Sequence, residues 1–305
     1  MSYRIKHTGN KTPADHEGVK RRIMTIPENP PHGSTCDLHV HTTESDGTDT
    51  PEEVVSRALS LGLGAVAITD HDTVKGIQRA VRAAAGRLVV VPGVEMSTQD
   101  GDREVHILGY FIERDNRALL ETLGEMHRRR RERMGEIVRL LRQYGVPIEQ
   151  ERIEALAGKG AVGRPHIARV LMEMGVVDSI EEAFRRFLGK ECPAYVPRAR
   201  FPAAAAVRLI REAGGVSVLA HPGLTHSEGI IDKLLRSGLG GIEVEYPEHT
   251  AEQRAVFRRF VSRCGLIATG GSDYHGPDDR FPLGAEVVPY TVVQQLWAAS
   301  GRMDV

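Results

Sequence analysis

The chain has 305 residues, of which 41% are hydrophobic and 27% are charged, and its formal net charge is −1. This composition describes an ordinary soluble globular protein that buries a core. Three widely separated cysteines argue against a disulfide framework. The sequence has neither a long apolar run nor the apolar core of a signal peptide, which excludes a membrane span and predicts a cytoplasmic location.

After a polar N-terminal extension over residues 1–34, strands alternate with helices. Thr50-Pro51-Glu52-Glu53 has the cap, the proline and the acidic residues of a helix start, and that helix is expected to end at Gly62. A second helix is predicted at about 74–85. The predicted strands of this region lie at about 36–41, 64–69, 88–96 and 104–112.

The pattern changes between residues 116 and 200, where only helices are predicted, at 116–144, 149–157, 164–174 and 179–188. This segment carries 17 Lys and Arg against 12 Asp and Glu, whereas the rest of the chain carries 23 against 29. A basic segment beside an acidic body suggests metal-binding carboxylates in one place and an anionic substrate received by the other.

The alternation then returns, with helices at about 203–213, 229–237 and 250–263 and strands at about 215–223, 240–246 and 266–276. Strands that alternate with helices favour a parallel α/β architecture, and α/β barrels place their chemistry where the strands end. We therefore predict one α/β barrel, formed by 35–115 and 201–290, with an all-helical insertion over 116–200 that covers the substrate. Residues 291–305 are predicted to be a C-terminal tail.

The stretch CDLHVHTTESDG, from Cys36 to Gly47, contains the most conspicuous of the polar clusters. Side chains alternate along a strand, so His39 and His41 point to the same side. Two imidazoles at a strand end form half of a metal site, and the nearby Asp46 could add a carboxylate. Taken alone, such a pair is more often two surface histidines.

The rest of the chain changes that balance, because side chains of metal-binding type recur at or near successive strand ends. They are His39, His41, Asp46, His71, Glu95, His106, His221, Asp273 and His275. Nine ligands fit two or three ions that share a bridging carboxylate, for which Glu95 is the natural choice. Imidazole and carboxylate ligands without a thiolate suit manganese, iron or zinc, and the carboxylate share favours manganese. Such a cluster supports hydrolysis by a metal-activated hydroxide.

Six motifs of the chain resemble those of the PHP (polymerase and histidinol phosphatase) family and occur in that family's order over about residues 36–285. They are HVH…D, ITDHDT, the GVE strand end, HILGY, LAHPG and GGSDYHG. The resemblance implies a distorted (β/α)7 barrel that binds up to three ions. It implies one ion at His39, His41, Glu95 and Asp273, a second at Glu95, His106 and His221, and a third at Asp46, His71 and His275. All nine positions match the three-metal pattern.

The insertion carries the run HRRRRER at 127–133 and the start of a helix at Gly163-Arg164-Pro165-His166. A solvated basic face is the ordinary interpretation of the first. Alternatively, one or two of its arginines face the metals and hold a phosphate or stack on a base. The second combines an arginine, an imidazole and free backbone N–H groups, which suit an anion. We predict substrate contacts at Arg131, Arg164, His166 and Lys190. Asp70, Asp72 or a metal-bound water is the predicted proton source.

The chain also resembles a bacterial subgroup of the family that removes phosphate from nucleoside 3′,5′-bisphosphates. The resemblance lies in GRPH within an inserted helical domain and in the following Lys190…Tyr195-Val196-Pro197. Some members of that subgroup trim short RNA from its 5′ end. The resemblance implies a phosphoesterase acting on nucleotides or short 5′-phosphorylated RNA, and no obligate protein partner is predicted. A histidinol-phosphate phosphatase would use the same metals but leaves GRPH and the arginine-rich helix unexplained. A non-catalytic nucleic-acid-binding module would not need nine ligands, and amide hydrolysis is more remote.

Overall fold

The computed structural model describes residues 26–158, 162–197, 200–225 and 227–301. Most of the predicted N-terminal extension, residues 1–25, lies outside the described residues. The rest of that extension docks near the C-terminus, where Pro27 O accepts a hydrogen bond from Tyr290 Oη at 2.9 Å. None of the described helices is both long and apolar enough to cross a membrane.

The strands form one sheet whose order follows the sequence. They are β1 (Thr35–Asp37), β2 (Ala65–Ile68), β3 (Val89–Asp100), β4 (Arg103–Tyr110), β5 (Val216–Leu219), β6 (Gly241–Glu245), β7 (Ile267–Gly270) and the short β8 (Val288–Pro289), which pairs with β1. The chain just beyond β1 and β7 closes the ring, because Val40 bridges Tyr274 and His41 N donates to Tyr274 O at 2.9 Å. The sheet is a nearly closed, distorted barrel of seven main strands, which confirms the predicted fold class.

Strand β4 departs from the expected parallel arrangement, since it pairs antiparallel with both β3 and β5. Only Gly101 and Asp102 separate β3 from β4, and so short a connection can join only antiparallel strands. The sequence contains this signal, but the prediction overlooked it. Because β4 runs backwards, its first residues lie at the end of the barrel where the other strands finish, which is where His106 is needed.

Helices cover the outside of the barrel on both sides of the inserted segment. Before it come α1 (Pro51–Ser60) and α2 (Lys75–Ala84). The insertion contains α3 (Arg117–Gln143), α4 (Gln150–Ala157), α5 (Arg164–Glu173) and α6 (Ile180–Ala183), which continues as a π-helical turn over Phe184–Leu188. After it come α7 (Ala203–Glu212), the short α8 (Pro222–Thr225), α9 (Ile231–Ser237) and α10 (Ala251–Cys264). The predicted helix start at Thr50 is confirmed, and there Thr50 and Glu53 form a capping box.

The helical segment builds a core of its own, in which Met134 and Leu141 of α3 pack with Ile153, Ile167 and Leu171. The first half of α3 packs instead against the barrel, through buried Leu119 and Leu123. One continuous helix of 27 residues therefore belongs to both cores. This arrangement ties the insertion to the rim of the barrel.

The segment after residue 290, predicted to be a tail, is instead a packed helix, α11 (Tyr290–Ala299). Leu296 and Trp297 are buried with Ala67, Val91 and Val218. These strand residues alternate with those that face the outer helices, so their side chains point to the inside of the barrel. Helix α11 thus packs its apolar side chains against the inner face of the barrel strands. The prediction failed because the apolar residues of this segment have partners that are distant in sequence. The polar cluster lies at the rim where β1, β2, β5 and β7 end, and it includes Glu95 of β3 and His106 of β4.

Candidate metal centre

The structure brings all nine predicted ligands together, and Glu95 of β3 is their common neighbour. The Glu95 side chain is 1% exposed. Its two oxygens lie 2.8–3.3 Å from ring nitrogens of five histidines, namely His39, His41, His71, His106 and His221. A carboxylate with this many imidazoles around it has the contacts that a bridging ligand requires.

Three groups of side chains have ligand atoms close enough to hold an ion. One contains His39, His41, Glu95 and Asp273, in agreement with the first predicted set. Another contains Asp46, His71 and His275 with His41 added, and the last contains His71, Glu95 and His106. His221 lies outside these groups, but its Nε2 is 3.1 Å from Glu95 Oε1. The predicted ligands are therefore in place, while the sharing of His41 and His71 between groups was not foreseen.

The ligand atoms themselves fit divalent ions. Four atoms that face the centre are buried and have no hydrogen-bond partner among the described residues: His39 Nε2, His41 Nε2, Asp46 Oδ1 and His71 Nδ1. Buried polar atoms without a partner are costly unless something else satisfies them. Imidazole nitrogens that face carboxylate oxygens, with no thiolate nearby, form a donor set suited to manganese, iron or zinc.

The electrostatics of the cluster also favour cations. Burial opposes ionisation of Glu95, yet the surrounding histidines, among them His106 and His39, hold the pKa of its carboxyl well below the usual range. The carboxyl pKa values of Asp46 and Asp273 are lowered by neighbouring histidines in the same way. Burial lowers the pKa of His71 to about 3, so this ring stays neutral. Ionised carboxylates and a neutral imidazole are the forms that bind metal.

Asp70 and Asp72, two of the predicted proton sources, are tied to other groups. Asp70 is fully buried and accepts hydrogen bonds from Thr42 N and Ser45 Oγ, each at 2.7 Å, which fix the loop after β1. Asp72 Oδ2 accepts from Arg130 Nε at 2.7 Å, and its Oδ1 accepts from a backbone amide. Both aspartates thus hold neighbouring groups in place, and the proton source, whether Asp70, Asp72 or a metal-bound water, stays a prediction.

The four predicted substrate contacts lie in different environments. Arg131 and Lys190 are exposed, so the arginine of the 127–133 run that turns inward is Arg130. Arg164 stacks on the Phe184 ring and lies 3.3 Å from a Glu104 carboxylate oxygen. Arg131 and Lys190 point to solvent, and their contacts with the substrate stay a prediction.

His166, the fourth predicted contact, is buried at the start of α5. Its Nδ1 accepts a hydrogen bond from Gly163 N at 3.1 Å, so the ring caps the helix. Asp46 Oδ2 lies 3.8 Å from the position that a Cβ atom of Gly163 would take, so the start of α5 lies beside the metal centre. Arg169 on the same helix donates to Asp46 O at 3.0 Å.

Two more side chains at the centre were not predicted. Glu243 of β6 lies 2.9 Å from His39 Nδ1, and the Tyr246 hydroxyl donates to Asp273 Oδ2 at 3.1 Å. Both belong to the GGIEVEY strand, which was recognised as a strand without a ligand-type residue being chosen from it. The available signal was its position, since a carboxylate late in a barrel strand lies at the same rim as the other ligands.

Comparison with known proteins agrees with this geometry. The PHP domain family matches residues 37–188. The chain is 35% identical to the 5′-3′ exoribonuclease Rnm of Escherichia coli, over 86% of the chain and 93% of that protein. It is 36% identical to a phosphoribosyl 1,2-cyclic phosphate 1,2-diphosphodiesterase of Eggerthella lenta, over 81% and 96% of the two chains. It is 35% identical to a 3′,5′-nucleoside bisphosphate phosphatase of Chromobacterium violaceum, over 81% and 89%.

A solved structure from Bifidobacterium adolescentis, assigned as a metal-dependent phosphoesterase, superimposes with a TM-score of 0.83 at 31% identity and covers 91% of this chain and 99% of that one. The chain therefore belongs to the PHP family. Within that family it is a metal-dependent phosphoesterase, a hydrolase with a cluster of His, Asp and Glu side chains that can bind metals.

Proposed function

We propose that this chain hydrolyses phosphate esters of nucleotides, with the 3′-phosphate of a nucleoside 3′,5′-bisphosphate as its main target. A short 5′-phosphorylated RNA is then an extended form of the same substrate. The reaction needs two to three divalent ions, for which manganese is the first choice and iron or zinc the alternatives. A cytoplasmic location remains a prediction of the sequence.

The nine predicted ligands support this proposal by the sets they form. His39, His41, Glu95 and Asp273 would hold one ion, while Asp46, His71 and His275 would hold another. His106 and His221, which both contact Glu95, would complete a third position. Divalent ions in such a site supply an activated water and neutralise charge on phosphate oxygens.

The observation that carries the substrate assignment is the position of Arg130. This side chain is 7% exposed, and its Nε and Nη2 bind Asp72 while Nη2 also donates to Ser97 Oγ at 2.6 Å. Nη1 and Asp46 Oδ2 both lie within 4 Å of the point where a Gly163 side chain would begin. A rigid, fully charged guanidinium therefore has one nitrogen directed to the rim of the metal centre, where it can bind a phosphate oxygen.

A cavity of about 370 Å³ adjoins the outer side of Arg130, between α3 and the end of β3. Met126 and Phe201 supply apolar surface there, Arg133 supplies positive charge, and Arg129 is paired with Glu125. This volume is within the range of small-molecule sites, and an aromatic ring with arginines suits a base and a phosphate. The cavity thus supports a nucleotide with a second phosphate better than it supports a small phosphate monoester.

The test is a comparison of kcat/KM values with Mn²⁺ present. The substrates are adenosine 3′,5′-bisphosphate, adenosine 5′-monophosphate, a 5′-phosphorylated oligoribonucleotide, phosphoribosyl 1,2-cyclic phosphate and histidinol phosphate. The bisphosphate should exceed the monophosphate by roughly 10-fold or more, because remote binding energy helps to position the reacting group. A clear preference for histidinol phosphate or for the cyclic phosphate would overturn the nucleotide assignment. As a control for metal dependence, the turnover of every substrate should stop when a chelator is added.

A further inference from the structure

Glu243 is the buried carboxylate of the centre that the predicted ligand sets do not contain. It is 0% exposed and lies on β6, between the strands that deliver His221 and Asp273. Its Oε1 is 2.9 Å from His39 Nδ1, and its Oε2 accepts a hydrogen bond from the backbone N–H of His221 at 2.7 Å. Each carboxylate oxygen therefore contacts a different histidine, one through its ring and the other through its backbone.

The contact with His39 determines how that ring can bind a metal. A carboxylate at Nδ1 requires the proton on that nitrogen, which leaves the lone pair on Nε2. His39 Nε2 is the atom that faces the centre, at 3.3 Å from Glu95 Oε2 and 3.2 Å from Asp273 Oδ1. A carboxylate behind a ligand histidine also makes the ring a stronger donor to a metal.

The contact with His221 acts on the backbone. His221 has a φ of 25°, in the left-handed region that a non-glycine residue adopts only when its surroundings require it. The hydrogen bond from its N–H to Glu243 holds this conformation. As a result the His221 ring stacks on the His39 ring, with centroids 5.8 Å apart and planes inclined by 17°, and its Nε2 reaches Glu95.

We propose that Glu243 is a positioning residue that sets the tautomer of His39 and the backbone of His221 together, and so controls the affinity of the centre for its ions. Glu243 and Glu95 lie on opposite sides of the His39 ring. Glu243 fixes the far nitrogen of that ring and the backbone of His221, so that the Nε2 atom of each histidine meets an oxygen of Glu95. The proposal rests on the metal ligands of the proposed function but not on its substrate.

Glu243→Gln is the informative variant. A glutamine has nearly the same shape, but its amide group presents one acceptor and one donor, whereas both neighbours of Glu243 are donors. One of the two contacts must therefore be lost. Glu245→Gln is the matched control, since Glu245 lies two residues along the same strand and pairs with Arg254 and Arg258 away from the centre.

The measurement is the dissociation constant for Mn²⁺, obtained by competition with a fluorescent chelator on metal-free protein. We expect Glu243→Gln to bind Mn²⁺ roughly 10- to 100-fold more weakly, and Glu245→Gln to bind it as the unchanged protein does. Circular dichroism and the melting temperature of the metal-free proteins check that the fold is kept. Turnover of Glu243→Gln should recover as the Mn²⁺ concentration is raised, which loss of the fold would not permit.

Unchanged Mn²⁺ affinity in a folded Glu243→Gln protein would overturn the proposal. If that variant does not fold, Glu243→Asp takes its place, since it keeps the charge and withdraws the carboxylate by one methylene. A folded Glu243→Asp protein with normal affinity would also overturn the proposal. Because Mn²⁺ alone is the probe, a failure of the nucleotide assignment leaves this test unaffected.

Discussion

The metal centre and the helical insertion hold their polar side chains in different ways. At the centre, buried histidines and carboxylates from several strands contact one another around Glu95. On α3, four of the eight arginines form ion pairs with glutamates one turn away on the exposed face, as Arg128 and Arg129 do with Glu125. Arg130 instead turns inward to a buried carboxylate, that of Asp72. Charge is concentrated at the centre, while on the helix it is mostly solvated.

This difference shows for which residues the position of a side chain can be predicted from the sequence. A strand side chain has two possible directions, and the ends of parallel barrel strands meet at one rim, so a ligand-type residue there has little freedom. A helix residue is turned by about 100° from its neighbour, so the orientation depends on how the helix docks. Arg131 was predicted to contact the substrate, whereas the arginine that turns inward is Arg130, one residue earlier in the chain.

The largest effect should come from the common neighbour at the centre. Glu95→Gln removes the charge that faces five histidines, so we expect turnover to fall on the order of 10³-fold and bound manganese to fall below the two to three equivalents expected of the unchanged protein. Elemental analysis of protein grown with manganese, together with kcat, makes the measurement. A Glu95→Gln protein with full manganese content and full activity would show that Glu95 does not bridge the ions. An active unchanged protein that binds one equivalent of manganese or fewer would show the same.

A smaller effect is expected from acid, and it should act on the insertion. Burial lowers the pKa of His166 to about 4, and the Nδ1 that accepts from Gly163 N must stay unprotonated. The unfolded chain takes up a proton near pH 6.5, so stability is intact above that pH and is lost as the pH falls towards 4. The loss should reach about 3 kcal/mol.

The measurement is the free energy of unfolding of metal-free protein in urea at several pH values. His166→Asn removes the titrating group and serves as the comparison, since the histidines of the centre titrate in both proteins. The difference between the two curves should change between pH 6.5 and 4. A constant difference would mean that His166 does not control the acid sensitivity of the insertion.

The smallest effect separates two adjacent arginines. Arg130→Lys keeps a positive charge for Asp72 but cannot also bind Ser97 and present a third nitrogen, so kcat/KM for the bisphosphate should fall roughly 10- to 100-fold. Arg131→Lys is the matched control and should stay within about twofold, because its side chain is exposed. Equal effects of the two changes would show that the inward position of Arg130 has no part in substrate binding.

The sequence by itself predicted the barrel class, the order of most helices and strands, and nine side chains that meet at the centre. These features depend on short-range rules. A strand alternates, a capped helix starts where its cap lies, and the ends of successive strands share one rim. His39, His71 and Asp273 could be placed together because each follows a strand, without knowledge of their contacts.

Only the tertiary structure decided which groups support those ligands and which arginine joins them. Glu243 meets His39 across 204 residues of chain, and Arg130 meets Asp72 across 58. Helix α11 packs against barrel strands that lie far away in the sequence. Such contacts depend on the packing of elements against one another, because the direction of a side chain on a docked helix, or the partner of a buried carboxylate, is set by surfaces that meet only when the chain is folded.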